Sequence, residues 1–152
     1  MSSSENKFEE RTHNRIEYLG LIQGNISRMA GNSAIMKGFA ATFMATILGM
    51  SVSETLKWYY VLIAVISLVA FIRLDIFYLQ IERRYRNLYA LIADQTIDDH
   101  RFALDLKSPF FERYKKEIYK NSSFFKILCS ISILQFYIWF IIIAGALIIF
   151  IA

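Results

Sequence analysis

The stretch WYYVLIAVISLVAFIRLDIFYLQIERRYRNLYALIA, residues 58–93, decides the fold. Its first part, residues 58–72, has no charged side chain, and its second part, from Arg73 onwards, mixes charged with apolar residues. No proline or glycine interrupts it, so we predict one helix over residues 58–93. Such a helix is about 50 Å long, whereas the hydrocarbon core of a bilayer is about 30 Å thick. The stretch therefore predicts a membrane span that continues as a helix into water.

Composition supports this class of protein. Of the 152 residues, 56% are hydrophobic, mean hydropathy is +0.39, and the apolar residues lie in blocks. These values are typical of a membrane protein with a single compact domain. The net charge of +4 is modest and does not indicate a nucleic-acid partner. The polar N-terminus predicts no cleavable signal peptide, and the lone Cys129 is interpreted as a small packing residue.

The N-terminal third predicts an amphipathic helix followed by a span. An apolar stripe at spacings of three and four runs through residues 10–30, where Gly20 and Gly24 weaken the helix and leave room for another one. Gly31, Asn32 and Ser33 are expected to end it, and Asn32 or Ser33 to cap the next helix. The first span then covers residues 34–50. Its small residues at helical spacing predict tight packing of helices in lipid, and they are Gly38, Ala41, Ala45 and Gly49.

The C-terminal third predicts a loop, a short helix and a last span. Residues 94–108 are polar and acidic, and Ser108 and Pro109 are suited to start a helix over residues 109–121. Its apolar face, with basic residues beside it, is expected to lie along an anionic membrane surface. Residues 124–152 then supply enough apolar length for one span. We therefore predict an all-α membrane protein with three transmembrane helices, an N-terminal amphipathic helix and cytoplasmic helical extensions.

The distribution of basic residues predicts the orientation. Residues 1–37 contain five Lys or Arg, residues 51–57 contain one, and residues 73–126 contain eleven. The excess of positive charge marks the cytoplasmic side of a membrane. We expect the N-terminus and the middle segment in the cytoplasm and the C-terminus in the periplasm.

No pattern in the sequence points to catalysis. His13 and His100 have no cysteine or second histidine at the spacing of metal ligands, and no glycine-rich phosphate loop or nucleophile elbow is present. We expect no enzyme activity, cofactor or metal. The charged residues nearest the membrane are Arg73 and Asp75, which point to different sides of a helix and each need another partner. Arg73 either reaches the interface with its long side chain or has a buried role.

Two motifs resemble those of a family of small, largely uncharacterised bacterial multi-span membrane proteins. One precedes and enters the first span, and the other leaves the second. The matching residues are Arg28, Met29, Asn32, Ser33, Lys37, Gly38 and Phe39, then Asp75, Tyr78, Leu79, Glu82, Arg83, Arg86, Leu88 and Tyr89. Phe39 stands where the family usually has tryptophan. The resemblance implies no enzyme activity and suggests a membrane effector of the kind found in antiphage islands of bacterial genomes.

The charged and polar motif residues predict one cluster near the cytoplasmic interface. Its members are Arg28, Asn32, Ser33, Lys37, Asp75, Glu82, Arg83 and Arg86. Such a cluster either holds helices together or lines a pore mouth or ligand pocket in an oligomer. The leading hypothesis is a self-associating, pore-forming or membrane-disrupting effector of the bacterial inner membrane, controlled through its cytoplasmic face by a protein partner or a small-molecule signal. The alternatives are a membrane anchor for a cytoplasmic partner and, with less support, a small transporter.

Overall fold

The chain is all-helical in the computed structural model, which describes residues 3–53, 58–94, 106–107 and 109–151. The predicted all-α class is therefore confirmed. Two long helices, α1 (Ser3–Ser53) and α2 (Trp58–Ala93), form an antiparallel hairpin. A 3₁₀ helix (Pro109–Tyr114) and three α-helices complete the described fold, and these are α3 (Lys115–Ile118), α4 (Phe124–Leu128) and α5 (Ile131–Ile151). Helix α2 has the bounds that the sequence predicts.

Helix α1 differs from the prediction because it runs without a break through residues 31–33. Ser33 caps no helix, since its hydroxyl donates a hydrogen bond to Asp75 on α2 instead. A glycine inside a helix costs about 1 kcal/mol relative to alanine, which packing against a neighbouring helix readily offsets. The amphipathic helix and the first predicted span are thus one rod about 75 Å long.

Two groups of buried apolar residues hold the hairpin together at different levels. The extension core lies toward the open end of the hairpin and consists of Tyr18, Ile22, Ile26, Leu88, Ile92 and Ile118. Burial, and secondarily the nearby Tyr85, raises the pKa of Tyr18 to about 12. The bundle core lies nearer the hairpin tip, where α5 packs beside α1 and α2, and consists of Ala40, Leu68, Ile76, Ile127, Ile133 and Tyr137, with Met44, Ile47 and Ala64 beyond it.

The segment after the loop differs from the predicted helix over residues 109–121. It begins as the 3₁₀ helix, becomes α-helical only over Lys115–Ile118, and turns at Asn121, whose φ is +58°. Two side chains of its predicted apolar face contact the hairpin, because Ile118 is fully buried in the extension core and Tyr114 packs against that core. The hairpin therefore covers at least this part of the face. The predicted cap Ser108 and most of the loop, residues 95–105, lie outside the described residues.

The last predicted span is divided in two. Helix α4 ends at Leu128, and α5 begins at Ile131 after a short break at Cys129 and Ser130. Cys129 is exposed at this break, so the interpretation of it as a packing residue is wrong. The 21 residues of α5 still give about 30 Å of helix, which matches the thickness of a bilayer core.

One described helix meets the length and hydropathy requirements for crossing a membrane. It is the part of α2 from Leu62 to Ala93, with a mean hydropathy of 2.3 over its most apolar stretch, of which 22% is buried. The apolar part of α5 with described side chains, Ile131–Ile143, is shorter than a span. Three transmembrane helices therefore stay a prediction.

Candidate functional site

A polar interaction between the two long helices involves Asp75 of α2, which is completely buried. Its carboxylate accepts a hydrogen bond from the Ser33 hydroxyl and forms an ion pair with Lys37, whose Nζ lies 2.6 Å from Oδ2. The same Nζ lies 2.9 Å from Ser33 Oγ. Ser33 and Lys37 are four residues apart, so one face of α1 presents both groups to Asp75. We call Ser33, Lys37 and Asp75 the inner triad; it supplies the separate partner that the sequence requires for Asp75.

Tyr137 of α5 brings a third helix to the inner triad, and the sequence analysis did not single it out. Its side chain is buried in the bundle core, and its hydroxyl lies beside the Asp75 carboxylate without a well-formed hydrogen bond to any described residue. A buried hydroxyl normally finds a partner, so its position facing a carboxylate is informative. The signal was present in the sequence, because Tyr137 is the one tyrosine within the apolar stretch of residues 131–151.

Three other charged residues of the predicted cluster form a second group farther from the hairpin tip. Glu82 accepts a hydrogen bond of 2.8 Å from Arg86 Nε, and the two side chains also form an ion pair. Arg83 donates to the backbone carbonyl of Asn121 at 3.1 Å. Glu82, Arg83 and Arg86 are the outer group, and they are not in contact with Asp75 in the part of the chain that the structure describes.

Two predicted members stand apart from both groups. Arg28 is exposed and donates to Asn25 on its own helix at 2.6 Å. Asn32 is half-buried, and no described hydrogen bond joins it to the inner triad or the outer group. The single predicted cluster is therefore two separate groups, with Arg28 and Asn32 outside them.

A groove of about 540 Å³ joins the two groups. Its wall contains Lys37 and Ser33 from the inner triad and all three members of the outer group. Ala30, Ala34 and Leu79 supply its apolar surface, and Ser132 of α5 also lines it. The lining therefore presents three cationic side chains and one carboxylate on an apolar background. Its volume falls within the range of about 300–1,000 Å³ that is typical of small-molecule sites.

A row of polar side chains on α2 holds the segment between α3 and α4. The sequence did not predict this contact. Asn87 Nδ2 donates to the carbonyls of Ile118 and Lys120, at 2.9 and 2.8 Å. Gln80 donates to the carbonyl of Ser122 at 3.1 Å, and the guanidinium of Arg84 lies 4.3 Å from the ring centre of Tyr119. These residues, with Arg83, follow one face of α2 at spacings of three and four, and that periodicity was the available signal. Together they fix the turn around Asn121.

Arg73 lies outside both charged groups. Its side chain is exposed, and its guanidinium lies 5.2 Å from the ring centre of Phe124. This geometry favours the interpretation in which Arg73 extends to an interface over the buried role, because stacking on an aromatic face keeps the charge accessible to water.

The predicted small-residue face of α1 packs little within one chain, since only Ala41 of its four residues is half-buried. The helix buries Ala40, Met44 and Ile47 against its neighbours, whereas Ala45 and both glycines of the predicted face are exposed. A Cβ atom at Gly38 or Gly49 would meet nothing within 4 Å. Gly20 and Gly24 are equally open, so close approach of another helix of the same chain explains none of these glycines.

The described residues offer no arrangement for metal binding. Among them, no group of three or more His, Cys, Asp or Glu side chains lies close enough together to hold an ion. His13 is exposed on α1, and His100 lies outside the described residues.

Comparison of the chain with protein-family models gave no match, and neither curated proteins nor solved structures showed detectable similarity.

Proposed function

We propose that the protein is an integral membrane protein that crosses the membrane with α5 and with the halves of α1 and α2 nearest the hairpin tip. The observation that carries this proposal is the apolar surface exposed around the bundle core. It includes Ile35, Phe39, Met50, Leu62, Ile63, Ile66, Val69, Leu134, Ile138, Trp139, Ile141 and Ile142. Exposed apolar side chains on three neighbouring helices form a surface that water solvates poorly and lipid solvates well.

The polar groups of these segments fit such an environment. Thr42 and Thr46 each donate to the carbonyl four residues earlier, at 3.0 and 2.9 Å, so neither hydroxyl is left unsatisfied in lipid. Asp75 lies about 26 Å along α2 from Trp58, close to the end of a bilayer core, and its charge is paired. The excess of basic residues on the extension side supports a cytoplasmic location for that side.

The proposed activity is non-enzymatic: self-association in the bacterial inner membrane followed by permeabilisation, under the control of the cytoplasmic extension. Support for self-association comes from the predicted small-residue face, where Gly38, Ala45 and Gly49 are exposed, Ala41 is half-buried, and small side chains leave space for a second copy. The family resemblance adds the proposal of an antiphage effector. Since Asp75 is buried within one chain, we assign it to helix packing, and the outer group is the better candidate for a pore rim or regulatory contact.

Dye release from liposomes tests this activity. Purified protein reconstituted at increasing density should release a small encapsulated dye, with a rate that rises more steeply than in proportion to protein. The matched variant is Ala45→Leu, which adds bulk to the exposed face and leaves the buried face of α1 intact. It should release the dye more slowly, because it weakens self-association. Absence of release at all densities, from protein shown to be inserted, would reject permeabilisation.

The alternative is a membrane anchor for a cytoplasmic partner. The extension core favours it, because α1, α2 and α3 build a packed unit well beyond the predicted spans, a suitable platform for another protein. A stoichiometric partner that copurifies with the full chain, together with intact liposomes, would support the anchor and reject the effector.

A further inference from the structure

We propose that the groove between the inner triad and the outer group binds the phosphate headgroup of an anionic phospholipid from the cytoplasmic leaflet. The position of the groove suits a lipid headgroup. Ser132 is the second residue of α5, Ala34 begins the first predicted span, and Leu79 lies one turn beyond Asp75 on α2. With α5 as the third span, the cytoplasmic ends of the three proposed spans therefore surround the groove, which is the depth at which headgroups lie.

The charge of the groove suits a phosphate group. Lys37, Arg83 and Arg86 face the groove against the single carboxylate of Glu82. Lys37 is already paired with Asp75, and Arg83 uses one N–H on Asn121, which leaves further guanidinium donors. The Arg86 side chain is 62% exposed although it pairs with Glu82. Guanidinium groups bind phosphate oxygens through paired N–H donors, so two arginines three residues apart suit one phosphate.

The apolar part of the groove distinguishes a lipid from a soluble phosphate. The groove has an apolar surface formed by Ala30, Ala34 and Leu79, and Ile131, next to its wall residue Ser132, is 79% exposed. A soluble anion gains nothing from this surface, whereas a lipid places its glycerol and upper acyl chains on it. Basic pockets between helix ends at the cytoplasmic side have the chemistry for anionic headgroups.

The test measures dissociation constants of phosphatidylglycerol and phosphatidylcholine for the detergent-purified full chain by native mass spectrometry. Phosphatidylglycerol should bind more tightly than phosphatidylcholine. Arg86→Gln should weaken phosphatidylglycerol binding about fivefold, the effect of one interfacial cation, and Arg113→Gln, an exposed arginine outside the groove, should not. Glu82→Gln should strengthen binding, because it removes the competing carboxylate.

Arg86→Gln and Glu82→Gln break the same ion pair. If damage to the fold were the cause, both variants would change the affinity for phosphatidylglycerol in the same direction. Headgroup binding instead requires that Arg86→Gln weakens binding and Glu82→Gln strengthens it. Equal effects of Arg86→Gln and Arg113→Gln, or weakening by both groove variants, would overturn the proposal. Displacement by equimolar glycerol phosphate would assign the groove to a soluble anion instead. The groove proposal rests on the three proposed spans and not on self-association. Extraction of the chain from membranes by alkaline carbonate would reject the spans. Inserted protein that shows no preference between the two lipids would reject only the groove assignment.

Discussion

Lys37 and Asp75 form an ion pair of 2.6 Å between α1 and α2 that is buried unequally, since the Lys37 side chain is 17% exposed and the Asp75 side chain is fully enclosed. The lysine can extend toward water if its partner is lost, whereas the carboxylate cannot. Removing one partner of a buried pair costs about 3–5 kcal/mol, because the other charge remains without compensation. The pair is therefore expected to respond differently to the loss of each partner.

The first prediction follows from this asymmetry. Lys37→Met should lower the thermal stability of the purified protein more than Asp75→Asn does, with the former costing about 3 kcal/mol or more. The double variant Lys37→Met, Asp75→Leu should recover most of the loss, since it leaves no buried charge. If Asp75→Asn instead keeps full stability and changes ion flux through liposomes, the pair has a functional role and the packing assignment is wrong.

The second prediction separates the two faces of α1. Ala45→Leu should preserve the folded chain but weaken detergent-stable oligomers, because the added bulk faces outward. Ala40→Leu is the matched control, and it should destabilise the fold itself, since Ala40 is fully buried in the bundle core. Crosslinking and thermal unfolding measure the two effects. Unchanged oligomers in Ala45→Leu and Gly38→Leu would place any self-association on another surface.

The third prediction concerns the turn around Asn121. Asn87→Ala removes both hydrogen bonds to the carbonyls of Ile118 and Lys120. Leaving such groups unsatisfied costs about 1–3 kcal/mol, so amide exchange in residues 115–123 should become about tenfold faster. Asn25→Ala, which loses only a contact within α1, should leave that exchange unchanged. Equal rates in both variants would mean that Asn87 does not hold the turn.

The fourth prediction tests the continuity of α1. Gly31→Ala should raise the free energy of unfolding by about 0.5–1 kcal/mol, because a Cβ there would meet nothing within 4 Å and alanine favours the helix. Gly24→Ala, equally open within the same helix, should behave alike. A loss of stability confined to Gly31→Ala would point to the helix break that the sequence predicts at residues 31–33.

The fifth prediction concerns topology. A reporter fused after Ala152 should report a periplasmic location, and one inserted within residues 95–105 a cytoplasmic one, because eleven basic residues lie in residues 73–126 and one in residues 51–57. A cytoplasmic C-terminus would contradict the three-span arrangement.

The sequence by itself determined the helical class and the whole of α2. An uninterrupted run of this length without proline or glycine favours one continuous helix, so local information was sufficient. It also indicated the residues of the inner triad and the outer group, because charged side chains beside an apolar run are costly and need partners.

Only the tertiary structure decided which of these residues contact one another. Whether Ser33 caps a helix or bonds to Asp75 depends on the register between α1 and α2, which no local pattern contains. The same holds for Tyr137, whose place beside Asp75 depends on where α5 packs. It also holds for Ile118, because the apolar face of its helix suits a membrane surface as well as the extension core. Hydrophobicity states that a face must be covered, and the packing of distant segments determines what covers it.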